Sequence, residues 1–366
     1  MSDPNQKDAP DQGDGAAPAR AEKVSPDVTP PDAANDMAAS GTATADPAAT
    51  LPEPATSVPG AERPAGPVDG QLPRWMADNL PDWTEPYIYL ARWDRPVGIW
   101  LLVLPAWIGF GFTAINAGFS PLTILWAIVF FIGAVAMRGA GCTWNDIADR
   151  KLDAEVERTA ARPIPAGLVS VTQAGIWLGI QLGVAFLIWL MLPTDAKVVA
   201  LVALPLIGAY PFMKRFTWWP QAWLGATFNF GVLIAAATTA SVSLSTIILW
   251  LGLACWTVAY DTIYALQDRE DDELAGIKST ARLFGDQAIT GTFVFHLTAA
   301  ALIALAAYAA GAPQIGAVTA LAFLGHGVWQ VARLAQDRDS AALPVFRSNV
   351  WAGGILAAGF LVAGLV

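Results

Sequence analysis

Residues 121–141 read PLTILWAIVFFIGAVAMRGAG, and from 145 to 153 the chain turns to NDIADRKLD. The first stretch has the length, about 20 apolar residues, that a helix needs to cross roughly 30 Å of hydrocarbon. The second continues it with one amide and three carboxylates. On a helix turning about 100° per residue, Asn145, Asp146, Asp149 and Asp153 share one broad face. A membrane span that ends in a row of carboxylates sets the class of the protein and the place of its chemistry.

Working outward, comparable apolar segments fall near 97–116, 172–192, 197–212, 220–240, 244–264, 287–310, 312–334 and 349–366. With 121–141 these predict an all-α polytopic membrane protein of about nine transmembrane helices. The segment 197–212 is short, and its Pro205 and Pro211 predict a kink or a broken end. Composition agrees: 55% of the 366 residues are hydrophobic and 14% charged, against about a quarter charged in soluble domains. An ordinary soluble enzyme is excluded.

The net charge of -10 is uneven, because residues 1–70 hold twelve Asp/Glu and four Lys/Arg. That stretch, Pro- and Ala-rich without an aromatic residue, reads as a disordered acidic leader. It has no apolar segment of a secretory signal and is too acidic for a mitochondrial transit peptide. Residues 71–96 interleave Trp75, Trp83, Tyr87, Tyr89 and Trp93 with Arg74, Arg92 and Arg95, the pattern of a short interfacial helix. Residues 97–366 form the transmembrane domain. Cys142 and Cys255 have no disulfide or zinc spacing, and the lack of a basic stripe argues against nucleic acid as a partner.

Loops after the second, fourth, sixth and eighth spans collect Arg150, Lys151, Arg158, Arg162, Lys214, Arg215, Arg269, Lys278, Arg282, Arg338 and Arg347. The alternate loops hold only Lys197. Positive charge stays on the cytoplasmic side, which predicts a cytoplasmic N-terminus and active site and a C-terminus on the outer, periplasmic side.

A second acidic cluster, DTIYALQDREDD, runs from Asp261 to Asp272. Asp261, Asp268 and Asp272, spaced i, i+7 and i+11, give one narrow stripe on a helix. Both clusters contain D-R-x-x-D and both are followed by a basic-hydroxyl pair, Arg158-Thr159 and Lys278-Ser279. Stacked carboxylates repel, and a cation between them reverses the cost. Hard oxygen donors without His or Cys suit magnesium shared with phosphate oxygens. A solvated surface loop is the plainer reading, but two copies beside an apolar layer, where charge is expensive, favour a site.

Lys214 and Arg215, closing YPFMKR (210–215), and Arg158 and Arg162 supply the cations of a diphosphate clamp. Membrane anchoring accounts equally well for the first two. A clamp opening into a greasy bundle calls for a charged head on a long apolar tail, which a polyprenyl diphosphate provides. Its allylic cation needs a dry cavity with aromatic faces. Tyr210, Tyr264, Phe228, Trp144 and Trp256 are candidates, although packing explains any one of them better. The acceptor is then electron-rich, such as a phenol ring.

These residues carry a resemblance. Arg92–Gly98 (RWDRPVG), Asn145–Gly167, Tyr210–Gln221 and Asp261–Ala281 make the chain, over roughly 90–366, resemble the UbiA superfamily of intramembrane prenyltransferases. Within it, YPFMKR and the long tail of the first motif are similar to the 4-hydroxybenzoate branch of ubiquinone synthesis. The resemblance implies a nine-helix bundle around a central cavity capped by both motifs. It implies magnesium and diphosphate on Asn145, Asp146, Asp149, Asp153, Asp261, Asp268 and Asp272. Lys214, Arg158 and Arg162 would touch diphosphate, with Arg215 near the acceptor or the leaving group. The implied reaction joins polyprenyl diphosphate to the ring carbon ortho to the hydroxyl of 4-hydroxybenzoate, in a cell inner membrane.

Arg92, Arg95 and Arg138 are alternative anchors for the acceptor carboxylate. His296 and His326 fit interhelical hydrogen bonding better than catalysis, while Asn349, Asn229 and Gln221 are either cavity lining or glue. Two further readings stand beside the main one: the same chemistry with another acceptor such as homogentisate, dihydroxynaphthoate or haem, and a cation-coupled transporter. A transporter places its charges near the bilayer midplane, whereas these lie at one face.

Overall fold

Helix α4 (Pro121–Asp153) runs unbroken through both the apolar run and the first acidic motif. Its 33 residues span about 50 Å at 1.5 Å per residue, so its final turns project beyond the hydrocarbon. Ser120 and Thr123 start it with a reciprocal capping box, and Pro121 occupies the first turn, where its missing N–H leaves no gap. The computed structural model describes residues 72–155, 157–267, 269–274 and 276–366, the side chains of 157, 158, 270, 271 and 274 excepted. The leader over 1–70 lies outside the described residues.

In chain order the helices are α1 (Arg74–Asn79), α2 (Glu85–Ala91), α3 (Val97–Ala117), α4, α5 (Glu157–Ala160), α6 (Val171–Met191), α7 (Thr194–Phe216), α8 (Pro220–Phe228) and α9 (Phe230–Thr239). Then follow α10 (Leu244–Ala265), α11 (Arg269–Leu274), α12 (Thr280–Phe284), α13 (Ala288–Ala309), α14 (Pro313–Gln336) and α15 (Arg338–Leu365). Among the described residues nine helical stretches are long and apolar enough to cross a membrane, α8–α9 counting as one and α12–α13 as another. The chain is a multi-pass membrane protein. Helices α3 and α10 are central and mostly buried, α3 packing on α4, α9 and α15 and α10 on α8, α13 and α15. Helices α6 and α7 turn Ile176, Leu187, Val198 and Val202 outward. Without a membrane such a surface would be costly; within one it is the solvated face.

Three local expectations change. Pro205 and Pro211 lie inside one continuous α7, and the indole N–H groups of Trp223 and Trp144 donate to the carbonyls of Leu206 (2.7 Å) and Gly208 (3.1 Å) between them. The interruption falls instead in the fifth span at Asn229, whose buried amide donates to Gly225 O (2.7 Å) and Thr257 Oγ1 (2.8 Å). Side-chain donors pair with backbone carbonyls in both places. The ninth span begins at Arg338, not near 349, so Arg338 and Arg347 are helical.

The segment before α3 is three short helical turns, and only α1 and the turn at Asp82–Thr84 present exposed Trp75 and Trp83. Helix α2 buries Ile88, Tyr89, Leu90 and Ala91, and Leu90 packs with Val169 and Ala174. Asn349 accepts from Trp256 (2.8 Å) and Gln330 (3.1 Å), while Gln330 meets His326 (3.0 Å). His296 Nδ1 lies 2.8 Å from Thr292 O. Trp256, Gln330 and Asn349 thus join α10, α14 and α15, whereas the two histidine contacts lie within α13 and within α14.

Candidate active site

A cavity of about 370 Å³ opens between the motif-bearing ends of α4, α7, α8 and α10. Helix α4 contributes Arg138, Cys142, Asn145, Asp146 and Asp153 to its wall; these recur at helical spacing and so project to one side. From α10 come Asp261 and Tyr264, and from α11 comes Asp272. The two acidic motifs therefore face one cavity. The second is not a continuous stripe: the helix ends at Ala265 and resumes at Arg269, so a turn brings Asp272 to the wall on which Asp261 sits. Asp268 and the Arg158 side chain lie outside the described residues.

Basic groups interleave with the first motif. Arg92 Nη2 lies 2.9 and 3.0 Å from the two oxygens of Asp146. Arg162 Nη1 lies 2.8 Å from Asp153 and 3.3 Å from Asp146. Asp146 and Asp153 are nearly inaccessible, at 1% and 5% exposure; buried charges of this kind persist only when paired. Arg92 closes α2 in the left-handed conformation, φ 57°, which a non-glycine residue adopts at about 1 kcal/mol or more. Its guanidinium also donates to the Tyr89 carbonyl. Burial works to lower the Arg92 pKa, but Asp146, with Cys142 and Asp94 behind it, more than reverses this and holds it above the ordinary value. Asp94 moves upward chiefly by burial, opposed by Arg95.

Several expected residues stand apart from the cavity. Asp149 is 1% exposed but turned to α7, where Lys214 Nζ (2.6 Å) and Arg215 Nη2 (2.9 Å) pair with its oxygens. The close approach of the last turn of α7 to α4 is the reason. Lys214 reaches the cavity wall, whereas Arg215 is half-exposed, stacks near Phe212 and does not line it. Arg95 pairs with its neighbour Asp94 at 3.0 Å and does not line it either. Of the aromatic candidates, Tyr210, Tyr264 and Phe228 face the cavity; Trp144 packs against Phe212, and Trp256 is core.

Lys278 of the basic-hydroxyl pair, Gln221 of the lining-or-glue candidates and Arg138 of the candidate anchors also line the wall. Gln221 accepts from Thr280 N (3.0 Å), and Lys278 N donates to Lys214 O (3.1 Å), so the second motif's loop is tied to α7 and α8. Arg138 was legible in the sequence as a cation inside an apolar run, a pattern that points to function.

The donor set can be tested against a divalent cation. Every acidic or amide donor on the wall is a hard oxygen, and the described residues contain no group of three or more His, Cys, Asp or Glu able to hold a metal alone. A few carboxylates per wall suit magnesium, which keeps water and takes phosphate oxygens as ligands. The residues fit that ion when a diphosphate completes its coordination.

Residues 102–353 match the UbiA prenyltransferase family. The chain belongs to that family. Among curated UbiA relatives, it is 41% identical over 282 residues to the 4-hydroxybenzoate octaprenyltransferase of Shewanella loihica, covering 76% of this chain and 96% of that one. It is 37% identical over 290 residues to the mitochondrial 4-hydroxybenzoate polyprenyltransferase of Arabidopsis thaliana, covering 79% and 71%. The apo structure of a UbiA homologue from Aeropyrum pernix K1 superposes with a TM-score of 0.60 at 26% identity, over 72% of this chain and 97% of that one. A UbiA homologue from Archaeoglobus fulgidus bound to GPP and Mg2+ shares the fold with a TM-score of 0.57 at 18% identity, over 76% and 98%.

Proposed function

We propose that this UbiA protein transfers a polyprenyl group from polyprenyl diphosphate to the ring carbon ortho to the hydroxyl of 4-hydroxybenzoate, a step of ubiquinone biosynthesis. The observation that carries the reading is a single cavity walled by both acidic motifs, in a chain whose curated relatives bear that activity in their names.

Asn145, Asp146 and Asp153 on one side, with Asp261 and Asp272 on the other, would hold magnesium. When bound, the metal neutralises charge that builds on the departing diphosphate. Lys214, Arg162, Arg92 and Lys278 stand where the same charge needs cations. The allylic carbon–oxygen bond breaks with its electron pair leaving on diphosphate. Tyr210, Tyr264 and Phe228 offer ring faces to the cation, and the apolar wall of Leu102, Met137, Ile207 and Leu224 limits access by water. The ring carbon then supplies the pair for the new carbon–carbon bond, and its proton is lost to restore aromaticity.

For the acceptor carboxylate the geometry favours Arg138 over Arg95 and Arg92. Arg95 is engaged by Asp94 and Arg92 by Asp146. Arg138 lines the cavity, its buried Nε has no hydrogen-bond partner, and no ion pair to it occurs among the described residues. Arg138→Met is expected to raise the KM for 4-hydroxybenzoate about tenfold to a hundredfold, the worth of a charge-assisted hydrogen bond, with little change in the KM for the polyprenyl donor. Steady-state kinetics in membranes decides it.

The positive loops support a cell inner membrane location with the cavity on the cytoplasmic side and the C-terminus outside. Transport has no support: the carboxylates gather at one end of the spans. Treating membranes with EDTA is expected to abolish transfer, and excess Mg2+ to restore it, in a radiolabelled-acceptor assay. The same assay with homogentisate and dihydroxynaphthoate tests the acceptor. Prenylation of either in preference to 4-hydroxybenzoate would overturn the reading.

A further inference from the structure

Gly98, in the first turn of α3, is buried. A methyl group built on it would lie 2.9 Å from Arg138 Cζ and Nη2 and closer still to Nε, so the nearest obstacle is the guanidinium. Other tight glycines differ. At Gly109, Gly111 and Gly225 the nearest atom is the backbone of a neighbouring helix, the usual reason for a small residue at a crossing. On its other side Arg138 has the Phe228 ring, with Cζ 5.8 Å from the centroid. Bare backbone at Gly98 thus lies against the guanidinium, nearest Nε, with the Phe228 ring also close to it. Arg138 and Phe228 both line the cavity.

We propose that Gly98 is a positioning residue: the space left by its missing side chain seats the Arg138 guanidinium and thereby makes the cavity select aromatic acceptors that carry a carboxylate. The inference rests on the reading of Arg138 as acceptor anchor. The seat matters because a planar guanidinium binds a carboxylate through two parallel N–H bonds only when its plane is fixed. A shift of about 1 Å at a positioning contact is enough to lose such geometry. Phe228 contributes a cation–π contact, and the α3 backbone at Gly98 contributes the wall.

The test uses the full chain in native membranes, with 4-hydroxybenzoate and its methyl ester as paired acceptors. The ester keeps the phenol ring and removes the charge. Gly98→Ala is expected to raise the KM for the acid about tenfold or more, while the KM for polyprenyl diphosphate and the turnover of the ester stay within about twofold. Adding Arg138→Lys, which replaces the broad fork with a compact ammonium, should restore part of the preference for the acid. If Arg138→Met leaves the acid-to-ester ratio intact, the anchor reading itself fails. If that variant collapses the ratio while Gly98→Ala preserves it, the anchor stands and the seat proposal is overturned. Equal loss with acid and ester, or failure of both Gly98 variants to accumulate, would make Gly98 a packing residue and also overturn it.

Discussion

Replacing Asp272 with alanine is expected to lower prenyl transfer about a thousandfold while the protein stays in the membrane, and Asp153→Ala is expected to do the same. Metal-assisted neutralisation of a leaving group is worth several kcal/mol, and about 4 kcal/mol corresponds to three orders of magnitude in rate. The two carboxylates stand on different walls of one cavity, so losing either removes a donor from its side of the clamp. Asp272 sits in a segment with backbone support of its own. Its loop is held by backbone contacts that alanine retains: Ile277 N to Asp272 O at 2.8 Å and Lys278 N to Lys214 O at 3.1 Å. Arg282 also donates to the carbonyls of Asp272 (3.3 Å) and Ile277. The measurement is initial rate at saturating magnesium and acceptor, normalised to protein in the membrane fraction. Retention of more than about a tenth of the wild-type rate by both variants would remove the clamp from the mechanism.

Asp146→Ala is expected to damage stability as well as activity. Asp146 is the ion-pair partner of Arg92, whereas Arg162 keeps Asp153 at 2.8 Å. The change therefore strands one guanidinium whose side chain is only 13% exposed. Leaving a buried charge without its partner costs about 3–5 kcal/mol. A clear fall in unfolding temperature in detergent should accompany the lost activity. Removing Arg92 as well, as Met in the double variant, should recover most of the stability and none of the turnover. A double variant as fragile as Asp146→Ala would show that the ion pair is not what holds α2 against α4.

Much of the architecture is legible in one dimension because each link is local. An apolar run near the thickness of the hydrocarbon must become a helix that satisfies its own backbone, so the nine spans follow from counting. Carboxylates that continue such a run at helical spacing emerge at its end, which placed Asn145, Asp146 and Asp153 together. The second motif was half-legible. Asp261 and Asp272 reach one wall as expected, but through a turn between α10 and α11, because nothing in their spacing distinguishes a continuous stripe from a bent one.

The two prolines of the fourth span do not break it. Helix α7 continues through Pro205 and Pro211, and indole donors from Trp144 on α4 and Trp223 on α8 reach carbonyls between the two prolines. No inspection of α7 alone contains those donors. Asn229 reverses the case: its side chain takes up Gly225 O at a break that hydropathy does not mark.

The sequence by itself determined the membrane class, the number of spans, the two acidic motifs and the family they belong to, since these depend on composition and short-range periodicity. Only the tertiary structure decided which charges neutralise one another and which face the cavity. Asp149 goes to Lys214 and Arg215, Asp146 to Arg92, while Arg138 lines the cavity with a buried Nε that has no hydrogen-bond partner among the described residues. Charge pairing depends on distances between helices far apart in the chain. A few ångströms of helix approach separate a ligand from a counter-ion, and that approach is set by side-chain packing that no local spacing encodes.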